Sequence, residues 1–576
     1  MKRLLAKYVI LILVTFGISI LIYNYVEAST AVDTEADLLT VQKQKEDSYL
    51  NNTNFSIDNP NVIVNPYGNS PLTALVIFQT KDLTTVDVTV KAKDGGQDLV
   101  HTFMPSKVHI LPIYGLYAGY ENKILITASG TTKEITIKTD NLPNDFAKVT
   151  NLKNNNYKTD EFYFTTPIDK GYTAAYDDNG EVRWYLIGDY KWDIQRLNNG
   201  HILISSDKII KKSYSVGLME MDLLGKVYYE YVIPGGYHHD AFEMNNGNLL
   251  LASNKLGRDT KEDYAVEIDR ASGNIVKVID LYKILPGKKT KDWFKMTSLS
   301  YDSKTNSITV SGYNSNMIVN IDYTSLNVNW IIADKNKIDK DYQKYLLKTE
   351  GDIDYPEKPQ SINLLDNGKM IFVSQKNNKK YLITYQIDYS NQTVKQIDSY
   401  KLNSNDDAYL EAKDNDYIVT QGQTISEIQN KDEVVSMNVN SILYNTKKMS
   451  LYANDIYYGV QGVRLGTLGE SKTIGDYLLL SSKVDNKSLK KYDIKLYKDV
   501  FGLKVKGTFK ESDRVQIILD NVLDKKTYDL LVPESKSNKE ITASRYINED
   551  GIKGKYYIFL NINGKIYKLL KYVIFY

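Results

Sequence analysis

From about residue 155 to 460 the chain repeats one unit of two β-hairpins at a period of about 40–60 residues, and few folds accommodate such a repeat. The first copy reads AAYDDNGEVRWYL (174–186) and then WDIQRLNNGHILISS (192–206). Further copies begin near residues 217, 264, 317, 381 and 425, the last of them weaker. Apolar residues alternate with polar ones in each copy, and the turns are Asn-Gly or Asp-rich. Asn-Gly accepts the positive φ angles of a tight I′ turn, so two strands can pair across it. A four-stranded unit cannot bury both of its faces alone, so several must close into a ring. The pattern predicts a β-propeller over residues 151–462, six blades by count, with five or seven also compatible.

Strand-like alternation continues on both sides of the repeat. Residues 72–80 and 85–92 alternate at period two, and so do 502–509, 515–522 and 555–564. The expected fold class is all-β: a six-bladed β-propeller flanked by an N-terminal β-sandwich (55–150) and a C-terminal β-sandwich (463–576). The 47 tyrosines agree with this, since tyrosine favours strands. Residues 29–54 read as a polar helix or stalk. Ahead of them Lys2, Arg3 and Lys7 precede an uncharged, mostly apolar run at 8–23, and Val26-Glu27-Ala28 resembles a small-residue cleavage site. Residues 1–28 therefore fit a signal peptide cut after Ala28 and fit a retained membrane anchor equally. Either outcome makes the remainder extracytoplasmic, secreted or held at the cell surface.

Composition removes several function classes. With 72 Lys+Arg against 71 Asp+Glu there is no basic field for a nucleic acid. The absence of cysteine excludes disulfides, thiolate chemistry and Cys-ligated metals. Only five histidines occur: His101, His109, His201, His238 and His239. His101 and His109 fall in the N-terminal sandwich, where structural roles are expected, and His201 follows the Asn199-Gly200 turn and is expected at a strand edge on the surface. No calcium-loop spacing, Gly-rich phosphate loop, Gly-x-Ser-x-Gly elbow or His-Glu-x-x-His motif is present, so neither cofactor nor metal is expected.

Residues 58–80 (DNPNVIVNPYGNSPLTALVIFQT) and 109–124 (HILPIYGLYAGYENKI) resemble the N-terminal domain of the bacterial arylsulfate sulfotransferases. AYDDNGEVRW, GYHHD…NNGN, DWFKMTSLSYD and the terminal MSLY resemble their propeller, and together the resemblance spans residues 55 to 460. It implies a funnel-shaped, six-bladed propeller acting outside the cytoplasm. It also implies transfer of a sulfuryl group from a phenolic sulfate ester to a phenol, independent of 3′-phosphoadenylyl sulfate. In that family a histidine near the axis attacks sulfur, and further histidines and an arginine hold the sulfate oxygens. The chemistry is sound: neutral imidazole is a nucleophile near pH 7 and leaves readily once sulfated, while convergent cationic donors suit the sulfuryl oxygens.

The resemblance carries the site over residue by residue. Seven residues before the Asn of its Asn-Gly turn, His239 stands beside His238 and Asp240 and matches a sulfate-binding histidine, with Asp240 expected to orient the imidazole. The family pattern Asp-Trp-x-His-x-Asn-Ser reads Asp292-Trp293-Phe294-Lys295-Met296-Thr297-Ser298 here, so Lys295 takes a histidine position and Thr297 an asparagine position. The family arginine falls on Tyr313, in Ser311-Gly312-Tyr313. Counting back seven from Asn367 places Gln360 where the nucleophile belongs, and no histidine follows His239. The expected substrate-binding set is His238, His239, Lys295, Tyr313 and Gln360, with no catalytic residue assigned. Two functions fit. One is sulfuryl transfer with a rebuilt site; the other is a non-catalytic surface protein whose funnel binds a small aromatic sulfate or another anion, or which contacts a cell-wall polymer or protein.

Overall fold

The structure is a computed structural model that describes residues 41–453, apart from short breaks at 50, 52–53, 94–95, 170, 208, 211–213, 256–257, 259, 288 and 414–415. Beyond these it describes 472–474, 480–483, 487–499, 502–510, 513–520, 525–530, 540–547 and 554–575. The expected signal or anchor segment, residues 1–28, lies outside the described residues. No described helix is long and apolar enough to cross a membrane.

Six antiparallel sheets follow one another around a ring. Blade one holds Phe162–Pro167, Thr173–Tyr176 and Val182–Leu186, and its innermost strand is Leu443–Met449, from the far end of the repeat. The inner strands of blades two to six are Ile194–Arg196, Ala241–Glu243, Met296–Asp302, Gln360–Leu364 and Ala408–Lys413, each followed outward by three more. Blade six gains a further outer strand, Val149–Asn154, paired with Asp432–Val439. Neighbouring inner strands touch, among them Leu443–Met449 with both Ile194–Arg196 and Ala408–Lys413, which closes the ring.

Each sequence repeat straddles two blades. The hairpin at 174–186 supplies the outer strands of blade one, and 192–206 the inner strands of blade two. His239, Lys295 and Gln360 therefore belong to blades three, four and five, one further on than counting from the first repeat suggests. Hairpin turns mark themselves with Asn-Gly, whereas the connection from one blade to the next has no such signature.

Every blade carries the same irregularity. Between its third and fourth strands the register slips at Ala175/Tyr176, Glu220/Met221, Glu267/Ile268, Asn320/Ile321, Thr384/Tyr385 and Glu427/Ile428, and blade two slips a second time at Ser215/Gly217. Such bulges sharpen strand twist, which a ring of packed blades requires. In three blades a buried glutamate stands at the slip, and the following blade clamps it. Arg270 of blade three bonds Glu220 of blade two, the Tyr323 hydroxyl of blade four bonds Glu267, and Tyr163 and Lys448 of blade one bond Glu427 of blade six.

The N-terminal domain is a five-stranded sheet built around the long strand Ala74–Val90. In its second half Val86, Val88 and Val90 alternate with exposed residues, as a one-sided strand should. Its first half is buried on both faces. Ala74, Val76 and Phe78 join the domain's own core, while Leu75 and Ile77 pack with Trp184, Ile204 and Met219 of blades one and two. The terminal MSLY completes this seam: Tyr452 stacks on His101 at 4.0 Å and donates its hydroxyl proton to the Pro112 carbonyl. A helical segment at 41–49 crosses the same junction, where Gln42 exchanges two hydrogen bonds with the Val227 backbone and Glu46 pairs with Lys226. Among the described residues, the C-terminal strands form two four-stranded sheets around a core that includes Val505, Phe509, Ile517 and Leu560.

Candidate functional site

Where the inner strands begin, pairwise contacts link side chains from all six blades, and this end of the ring is called its mouth. Trp192, His239 and Lys295 stand just before the inner strands of blades two, three and four, and all three hold left-handed backbone angles, φ 64°, 58° and 55°. This conformation is costly for bulky residues and persists where surrounding structure enforces it. The mouth divides into two halves. On one side Trp192, Tyr444 and Tyr409 form an aromatic run, with ring centroids 5.3 Å apart for Trp192–Tyr444 and 4.3 Å for Tyr409–Tyr444. His239 joins it, 4.3 Å from Trp192.

The opposite side is cationic. Lys295 lies 4.2 Å from the centre of the Tyr313 ring, and Lys358 and Lys380 each lie 5.8 Å from it. Lys380 is only 3% exposed, yet it donates to the Gln360 side-chain oxygen at 3.3 Å and to Asp407 at 3.0 Å. With its oxygen engaged, the Gln360 carboxamide has its NH2 left to donate. Burial, and then the nearby Asp407 carboxylate, push the Tyr313 phenol above its ordinary range. Lys295, Tyr313 and Gln360 thus lie together, with Lys380 linking Gln360 to the other two.

The two histidines part company. His239 has Nε2 3.5 Å from Glu262 and Nδ1 3.4 Å from the Tyr444 hydroxyl. Glu262 in turn accepts from Tyr214 at 2.8 Å. Burial alone would raise the Glu262 carboxyl, but the neighbouring imidazoles of His239 and His238 hold it well below the usual range. His238 is fully buried behind this pair, with Nε2 2.9 Å from the Ser253 carbonyl, and burial lowers its imidazole to about 4. The expectation that Asp240 orients an imidazole is not met. Its carboxylate accepts from the Leu299 N–H at 2.9 Å, in blade four, and Glu262 takes the place beside His239.

Next to these residues in the chain stands a buried ionic cluster. Lys447 pairs with Asp193 at 3.5 Å; burial alone would lower its ammonium, but Asp193 and Glu411 hold it above the ordinary range. Asp240 is raised to about 7, by burial first and then by Asp193. A carboxyl whose folded value lies above its unfolded one contributes stability that is present below the unfolded value and lost as pH rises through the folded one. Asp240→Asn keeps an acceptor for Leu299 and removes this charge. Its urea-unfolding free energy is expected to gain on wild type by roughly 1–3 kcal/mol between pH 5 and pH 8. An equal difference at both pH values would contradict this.

Trp192, Glu262, Lys358, Lys380, Asp407, Tyr409 and Tyr444 are absent from the sequence-based set. Trp192 had a signal, since it stands seven residues before Asn199 of an Asn-Gly turn, as His239 and Gln360 do before theirs.

Fold and site together describe a propeller protein with an appended N-terminal β-domain and an axial mouth that is half aromatic and half cationic. The family described as Arylsulfotransferase (ASST) matches residues 148–458, and the Arylsulfotransferase Ig-like domain matches residues 61–141. The chain belongs to the arylsulfotransferase family. It is 24% identical over 420 residues to the arylsulfate sulfotransferase AssT of Escherichia coli O6:H1 (strain CFT073), an alignment covering 53% of this chain and 68% of that protein. To the AssT of Lelliottia amnigena it is 23% identical, across 39% of this chain and 49% of that one, so it spans about half of that relative's length. Among solved structures, a periplasmic gluconolactonase of Pseudomonas aeruginosa, PpgL, aligns over 64% of this chain and 99% of its own, at 9% identity and a TM-score of 0.32.

Proposed function

We propose that the mouth takes an aromatic sulfate ester, in a protein acting outside the cytoplasmic membrane. The observation that carries this reading is the division of the mouth. Lys295, Lys358, Lys380 and Gln360 offer donors to a sulfate group, while Trp192, Tyr409 and Tyr444 offer faces to an aryl ring. Ammonium groups stabilise a charged oxyanion most where water is partly excluded, and Lys380 is nearly buried. Membership of the arylsulfotransferase family supports the same ligand class. Transfer through a histidine in blade five is not part of this proposal, because Gln360 stands at that position and a carboxamide is no nucleophile.

Thermal melting of the purified protein tests it. With 4-nitrophenyl sulfate far above its Kd, Tm is expected to rise by a few degrees, since a ligand at about 100 Kd adds about 2.7 kcal/mol. Inorganic sulfate should act more weakly, and 4-nitrophenol more weakly still. A melting curve unmoved by the ester at any soluble concentration would end the proposal.

A further inference from the structure

We propose that the Tyr313 hydroxyl is itself a sulfuryl acceptor, so that this chain passes the group through a tyrosine sulfate; this rests on the reading that an aromatic sulfate ester enters the mouth. Three lysines surround the Tyr313 ring, with Lys295 nearest at 4.2 Å. Their charge serves the three sulfuryl oxygens before, during and after transfer. The Asp407 carboxylate stands near enough to act on the phenol, and Lys380 holds Asp407 at 3.0 Å. A hydroxyl, a carboxylate beside it to take its proton and a third group that fixes the carboxylate make up the arrangement expected of an activated hydroxyl.

The step balances within the site. The Tyr313 oxygen attacks sulfur, the bond from sulfur to the donor's phenolic oxygen breaks, and the Tyr313 proton passes to the Asp407 carboxylate. Asp407 then returns that proton to the departing phenolate, leaving a free phenol and Tyr313 as its sulfate ester. Donor and adduct are both aryl sulfates, so one ester of a phenol is exchanged for another and neither direction is strongly uphill. A second phenol can recover the group by the reverse of the same step. Other polar groups at the mouth are less suited: Gln360 is an amide, and the nitrogens of His239 lie against Glu262 and Tyr444.

The test incubates the purified protein with 4-nitrophenyl sulfate and no acceptor phenol. Melting, intact mass and 4-nitrophenol release are followed on the same sample. The expected result is a rise in Tm, a gain of one SO3 per chain, a matching burst of 4-nitrophenol, and fragmentation that places the group on Tyr313. Tyr313→Phe should abolish the gain in mass, and Asp407→Asn should slow it about a hundredfold or more, as loss of a general base does. A rise in Tm without added mass would overturn the tyrosine adduct and leave the ligand reading intact. Added mass on His239 or a lysine, or a burst that survives Tyr313→Phe, would overturn it also. Neither a rise nor an adduct would remove both proposals.

Discussion

Arg270→Leu is expected to lower the unfolding free energy of the propeller by about 3–5 kcal/mol, among the largest losses any single substitution in this chain should cause. Arg270 grips both oxygens of Glu220, at 2.7 and 2.8 Å, and reaches Glu243 at 2.8 Å with its remaining arm. Glu220 has no exposed side-chain surface, so its carboxylate would lose its main counter-charge in a dry setting. His201 would remain, with Nδ1 at 2.6 Å. Burial alone would raise the Glu220 carboxyl, but bonds to His201 and Arg270 hold it well below the usual range. A depressed carboxyl contributes stability that is present above its unfolded value of 4.5 and lost as pH falls through its folded one. The deficit of the variant should therefore be largest at neutral pH and shrink in acid. Glu220→Gln made together with Arg270→Leu should recover part of the loss. Urea unfolding measures all of this, and a deficit below about 1 kcal/mol at pH 7 would show that the clamp is not needed.

The second large effect concerns the ligand. Lys295→Ala combined with Lys358→Ala is expected to weaken 4-nitrophenyl sulfate by about 30- to 1000-fold, as each hydrogen bond to a charged group is worth about 1.5–3 kcal/mol and partial rescue by Lys380 trims the sum. Both lysines are half-buried and their substitution removes little packing, so the change should appear in Kd and not in folding. The wild-type Kd should also weaken with salt more steeply than that of the variant. An unchanged Kd measured by calorimetry would move the anion away from the cationic half of the mouth.

Much of the architecture was legible because it is written locally. Period-two alternation marks the strands, and Asn-Gly pairs at 199–200, 246–247 and 367–368 mark the inner hairpins. The phase of the repeat was not legible, since blade one is completed by Leu443–Met449, which no local pattern ties to Phe162. The site shows the same division. His239 and Gln360 follow from their spacing to a turn, and Trp192 obeys the same spacing but goes unnoticed where only histidine is sought. Lys380 is the second residue of the third strand of blade five and Tyr444 arrives on the closing strand, so both reach the mouth through tertiary pairing alone. Asp240 misleads for a stereochemical reason: the left-handed backbone at His239, φ 58°, breaks the run of the chain there, and the Asp240 carboxylate meets blade four.

The borrowed strand of blade one also sets a timetable. The Thr165 hydroxyl meets the Asn445 carbonyl across 280 residues of chain, and Tyr444, part of the mouth, rides on that same late segment. During synthesis the early blades can collapse as they emerge, but the annulus stays gapped until the ribosome has passed Met449. Contacts this remote form slowly, and blade one must wait with an unpaired edge open to wrong partners. A nascent chain can therefore hold five finished blades and still have no receptor for its guest.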